Sequence, residues 1–122
     1  MQFGKKTTKN IGDHAESIAE NFLIENKLKI IAKNYRIKTG EIDLIADDKG
    51  TIAFVEVKFR KSNNFGQPFE TVTHSKQRKI IRTAQSYLQK HPKLANKACR
   101  FDVISIHNQD INWIQNAFDT SS

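Results

Sequence analysis

Cysteine is nearly absent: Cys99 is the only one in 122 residues. No intramolecular disulfide framework can form, and no Cys/His cluster has the spacing of a zinc site. This usage fits a reducing compartment. Long apolar runs are also missing. Met1 to Lys9 carries three lysines and offers neither a signal peptide nor a membrane span, so the expectation is a cytoplasmic protein with no membrane partner. No repeat or low-complexity segment occurs. Acids are scarce relative to bases, 13 against 20, for a formal net charge of +7. That balance favours a polyanionic partner through release of counterions from phosphates. Taken alone, it leaves a basic domain without such a partner equally open.

What is present suits one compact domain spanning residues 1–122, with residues 1–9 expected to be disordered and 119–122 a tail. Hydrophobic residues make up 38% of the chain, enough to build a core. Asn10 is the expected cap of a first helix, whose apolar positions Ile11, Ala15, Ile18, Ala19, Phe22 and Leu23 recur at helical spacing to about Asn26. A strand is expected over Leu28 to Ile37, followed by a turn at Thr39-Gly40. Two apolar runs, Glu41 to Asp47 and Thr51 to Phe59, flank Asp48-Lys49-Gly50 and read as a β-hairpin. Lys61 to Gln67 reads as a loop. Ser75 is the expected cap of a second helix, with an apolar stripe of Ile80, Ile81, Ala84, Tyr87 and Leu88, ended by Pro92. Strands over Arg100 to His107 and Ile111 to Ile114 enclose a turn at Asn108 to Asp110. The order α-β-β-β-α-β-β predicts an α/β domain with a central mixed sheet flanked by helices.

The chemistry concentrates in the hairpin. Residues two apart on a strand share a face, so Glu56 and Lys58 project together with Ile52 and Phe54, while Ala53, Val55, Val57 and Phe59 form a wholly apolar face for the core. With Lys49-Gly50 as the central turn residues, facing residue numbers add to 99. Asp43 is then expected opposite Glu56, and Glu41 opposite Lys58. A register shifted by one would set Asp43 against Val55 and mix charged with core positions. Two adjacent carboxylates repel unless a proton or cation sits between them. Hard oxygen ligands suit magnesium or manganese, which can polarise a phosphoryl oxygen, and a neighbouring lysine can orient the nucleophile. The competing interpretation is an ordinary ion pair of Glu56 and Lys58 on a solvated strand, with Asp43 and Glu41 as surface neighbours. The apolar strands around these acids look central and buried, where unpaired acids are costly.

Asp43, twelve intervening residues and then Glu56-Val57-Lys58 resemble the signature of the PD-(D/E)xK nuclease superfamily. Gly40-Glu41-Ile42-Asp43-Leu44-Ile45, Phe54-Val55-Glu56-Val57-Lys58-Phe59-Arg60, Lys76 at a helix start and Arg100-Phe101-Asp102-Val103 extend the likeness. Together they are similar to the YraN family of small, uncharacterised bacterial proteins over nearly the whole chain. The resemblance implies a restriction-endonuclease-like core, similar to archaeal Holliday junction resolvases. It implies Asp43 and Glu56 as metal ligands with the Val57 carbonyl, Lys58 assisting the water, and Glu16 on the first helix as a further acid of the site. The superfamily's proline before the Asp is replaced by Ile42, which removes no ligand.

Glu16 otherwise reads as a solvated helix residue, and Glu41 as an edge residue for which an ion pair with Lys58 or Arg60 competes with ligation. Lys76, Arg78, Lys79 and Arg60 are the expected nucleic-acid contacts. The four histidines have no ligand spacing, Trp113, Phe101, Phe118 and Tyr87 fit packing better than base stacking, and Asp102 is expected in a structural ion pair. The leading expectation is a Mg2+- or Mn2+-dependent endonuclease acting on DNA, including branched or structured DNA. The alternatives are a non-catalytic nucleic-acid-binding module and a scaffold without a nucleic-acid role. Resolvases act as dimers, which admits a homodimer here.

Overall fold

The computed structural model describes the backbone of residues 8–60 and 72–120, with side chains from residue 14 onward in those ranges. The elements are α1 (Thr8–Glu25), β1 (Lys29–Ile37), β2 (Gly40–Asp48), β3 (Thr51–Arg60), α2 (His74–Lys90), β4 (Cys99–His107) and β5 (Asp110–Phe118), with a short 3-10 turn at Pro92–Leu94. The five strands form one mixed sheet in sequence order. Every neighbouring pair is antiparallel except β3 and β4, which run parallel with α2 in their connection. That connection is the crossover a parallel pair requires.

One helix covers each side of the sheet. Ala15, Ala19 and Leu23 of α1 pack on Leu44, Ala46, Ala53, Val55, Ile104 and Ile106. Ile80, Ala84 and Tyr87 of α2 pack on Ile45, Ile52, Phe54, Phe101 and Val103. The central strand β3 is therefore buried on both faces, which explains why its sequence is nearly continuous in apolar residues. No helix among the described residues is long and apolar enough to cross a membrane.

The structure moves several expected boundaries. Asn10 lies inside α1, which begins at Thr8, so it is not the cap, and Thr8 and Lys9 are helical. Residues 1–7, the loop over 61–67 and residues 121–122 lie outside the described residues, whereas Asp119 and Thr120 simply follow β5. The cap of α2 is Thr73, whose hydroxyl accepts from Lys76 N at 3.2 Å, not Ser75. Both are good capping types, and the helix takes the earlier one because Thr73 is the residue still in extended geometry, with ψ 156°. Lys38-Thr39, not Thr39-Gly40, forms the first turn, since Gly40 already pairs with Ile37. The last strand runs on to Phe118 because a register irregularity between Phe101 and Val103 absorbs the polar residues after Ile114. Phe59 is 43% exposed instead of buried. It lies one residue from the end of β3.

Candidate active site

The hairpin register is the expected one where the strands pair: Leu44 faces Val55, Ile45 Phe54, Ala46 Ala53, Asp47 Ile52 and Asp48 Thr51. Lys49 (φ 52°) and Gly50 (φ 99°) take the two left-handed positions that a two-residue hairpin turn demands. The ladder then stops at Leu44 and Val55, so neither the pair Asp43/Glu56 nor the pair Glu41/Lys58 forms as expected. The reason is a break in alternation. Ile42 and Ile45, three apart, both join the α2-side core, whereas Leu44 joins the α1-side core. Asn34, at φ 53°, lies on β1 between the pairs Lys33/Leu44 and Tyr35/Ile42, directly across from the break. Freed from strict alternation, Asp43 turns its carboxylate toward β3. There its Oδ2 accepts the Val57 N–H at 2.8 Å, replacing a strand–strand bond with a side-chain one.

This divergence opens a cleft of about 130 Å³ lined by Gly40, Glu41, Asp43, Glu56, Lys76, Lys79 and Ile80. Its floor is the split between β2 and β3, and its wall is the first two turns of α2. Gly40 sets their approach. A Cβ there would run into Thr83 Oγ1 and come within 3.0 Å of the Lys79 carbonyl oxygen, while Thr83 itself donates to that carbonyl at 2.7 Å. Only a residue without a side chain lets α2 sit this close to the site.

The electrostatics are those of too many acids in too little water. Burial and the neighbouring Glu56 charge push Asp43 up to about 8, with Glu16 and Glu41 adding in the same direction and the Val57 hydrogen bond opposing. Glu56 is 7% exposed and forms a 2.6 Å ion pair through Oε2 with Lys76 Nζ. Burial holds Lys58 below the usual lysine range, and the adjacent Lys76 charge adds to the effect. Lys76 moves the other way. Burial works against its charge, but the hydrogen bond and charge of Glu56 outweigh that, and a hydrogen bond joins it to Lys58. Of two touching lysines, Lys58 is the one that more readily gives up a proton.

Asp43, Glu56, Lys58 and Lys76 thus meet in one place. Glu16 is near enough for its charge to act on Asp43. Lys79 lines the cleft, whereas the neighbouring Arg78 is exposed and does not. Glu41 pairs with Arg36 at 3.2 Å, its partner across the β1–β2 ladder. Lys76 is a cleft residue with a buried partner, not a surface lysine. Ser105, 8% exposed, was missed; the parallel register sets it beside Lys58, a neighbour that only a known strand order reveals. Asp102 has the structural role expected of it. It takes Arg100 Nε at 3.0 Å, Trp113 Nε1 at 3.0 Å and the Asn116 N–H at 2.9 Å.

Among the described residues, no three His, Cys, Asp or Glu side chains gather into a metal-binding group. The donor set here is the carboxylates of Asp43 and Glu56, which both line the cleft. It fits a hard cation such as magnesium, which keeps several waters and takes one or two carboxylates.

Residues 15–106 match the family described as "Uncharacterised protein family UPF0102". The chain is 50% identical over 107 residues to a UPF0102 protein of Saccharophagus degradans, covering 88% of this chain and 91% of that one. It is 46% identical over 112 residues to one of Francisella tularensis (91% and 96% covered) and 45% identical over 113 residues to one of Coxiella burnetii (92% and 94%).

Proposed function

This chain belongs to the uncharacterised family UPF0102, and from its cleft we propose a metal-dependent nuclease of the PD-(D/E)xK type that hydrolyses phosphodiester bonds in DNA. The observation that carries the reading is the pair of buried Glu56 and half-buried Asp43 lining one cleft, in which Asp43 is held up at about 8 at a split between two strands. A fold that needed only stability would have no use for such a pair. Asp43 and Glu56, with the Val57 carbonyl, would hold the ion, Mg2+ or Mn2+. When bound, the ion supplies Lewis-acid polarisation of the phosphate and lowers the pKa of attacking water. Lys58, partly desolvated and relieved of its proton more easily than a free lysine, orients that water or accepts its proton. Glu16 adds negative charge at the rim. Lys79 on the cleft wall, with Arg78 and Arg60 outside it, supplies phosphate contacts that hold the backbone across the opening.

The ion pair of Lys76 with Glu56 favours a second reading, a nucleic-acid-binding module whose acids are already neutralised from within. The two differ in one assay. Linear, nicked and four-way-junction DNA are incubated with protein and Mg2+, Mn2+ or chelator. The nuclease reading expects metal-dependent cuts that fall at least about a hundredfold in Asp43→Ala and Glu56→Ala. Cutting that survives both substitutions would remove the proposed site. Salt-sensitive binding without cleavage under any metal would favour the module.

A further inference from the structure

Lys76 is doing two incompatible jobs if it is only a phosphate contact. Its ammonium lies 2.6 Å from Glu56 Oε2 and against Lys58, on the carboxylate that a cation would use. Yet its side chain is 44% exposed while that of Glu56 is 8% exposed, so the lysine reaches inward from the rim. It stands in the first turn of α2, held there by the Thr73 cap on its own N–H. From that point a four-carbon stem can turn toward solvent without disturbing the helix.

We propose that Lys76 is an internal stand-in for the divalent cation: it holds Glu56 in the free protein and yields it when a substrate phosphate takes up its ammonium. The inference rests on the nuclease reading of the cleft and deepens it. Two charges compete for one buried oxygen, so whatever draws Lys76 outward strengthens metal binding by the same factor, and metal binding frees Lys76 for phosphate. A phosphodiester backbone is suited to this because it presents anionic oxygens at the rim while the reacting phosphate lies over the acids. Metal loading is thereby coupled to substrate. The bare site is guarded against adventitious ions, and Lys76 acts as a positioning residue.

The test measures Mn2+ binding by electron paramagnetic resonance of the free ion, with no turnover required. Lys76→Gln should bind Mn2+ about five- to fiftyfold more tightly than the wild type, the usual range of coupling between two ligands. Lys79→Gln removes the same charge from the same cleft wall and should gain about twofold or less, as an exposed, screened charge does. A short DNA duplex, with the Mn2+ held by DNA alone subtracted, should tighten binding to the wild type and leave Lys76→Gln almost unchanged. Equal Mn2+ affinity in the wild type and Lys76→Gln would overturn the stand-in role and leave the two-carboxylate site intact. So would equal gains in the two lysine variants. Absence of Mn2+ binding in all three proteins, with and without DNA, would overturn the inference and the metal-dependent reading together.

Discussion

Two aspartates on one sheet, Asp102 fully buried and Asp43 half-buried, are treated in opposite ways. Asp102 is fully buried, and its two oxygens take a guanidinium edge, an indole N–H and a backbone N–H. The same Arg100 reaches on to Asp48 at 2.9 Å, tying the β2–β3 turn to β4. Asp43 receives one backbone N–H and faces three other acids, and it is raised to about 8. Asp102 shows that this fold can satisfy a buried carboxylate completely. The shortage of hydrogen-bond donors at Asp43 is therefore a property of that place, and a carboxyl held protonated among other acids, with Lys58 and Lys76 in reach of its charge, is one suited to a ligand.

Substitution sharpens the contrast, since the two sites should respond with opposite signs. Asp102→Ala leaves the Trp113 indole N–H and the Asn116 N–H without an acceptor and Arg100 with Asp48 as its remaining carboxylate. Urea denaturation should register a loss of about 3–5 kcal/mol. Asp43→Asn should stabilise. The folded-state pKa of about 8 stands above the ordinary 3.8, so between pH 4 and 8 the folded chain holds a proton that the unfolded chain has released. Wild-type stability accordingly falls as pH rises through that window. The variant should lack that fall and exceed the wild type at pH 8 by on the order of 2–4 kcal/mol. Matching losses in both variants would break the comparison. A smaller effect is expected at the wall of the cleft. Gly40→Ala forces a Cβ onto Thr83 and should cost about 1–3 kcal/mol, with α2 displaced from the acids and metal binding weakened alongside.

Local patterns carried most of the fold, and the site only in outline. The order of elements followed from periodicity, and the hairpin register from Lys49-Gly50, because both depend on neighbours in the chain. Asp43, Glu56 and Lys58 were recognisable as acids and a base among apolar residues. Their actual geometry was not, since the break at Asp43 is made jointly with Asn34 on another strand. Lys76 meets Glu56 from twenty residues away, through packing set by Gly40 against Thr83. The partners of Asp102 on β5 appear only once β4 and β5 are paired around their irregularity. In the α2 cap, Thr73 and Ser75 are chemically equivalent candidates, and tertiary position chose between them.

The central claim is that the Asp43/Glu56 cleft is an acid pair awaiting a cation, and proton release on Mg2+ binding tests it most directly. Calorimetric titration at pH 7 in buffers of different ionisation enthalpy should show about one proton released per bound ion. The release should diminish as pH rises past 8 and disappear in Asp43→Asn. Binding with no proton released at pH 7, or the same release from Asp43→Asn, would contradict it.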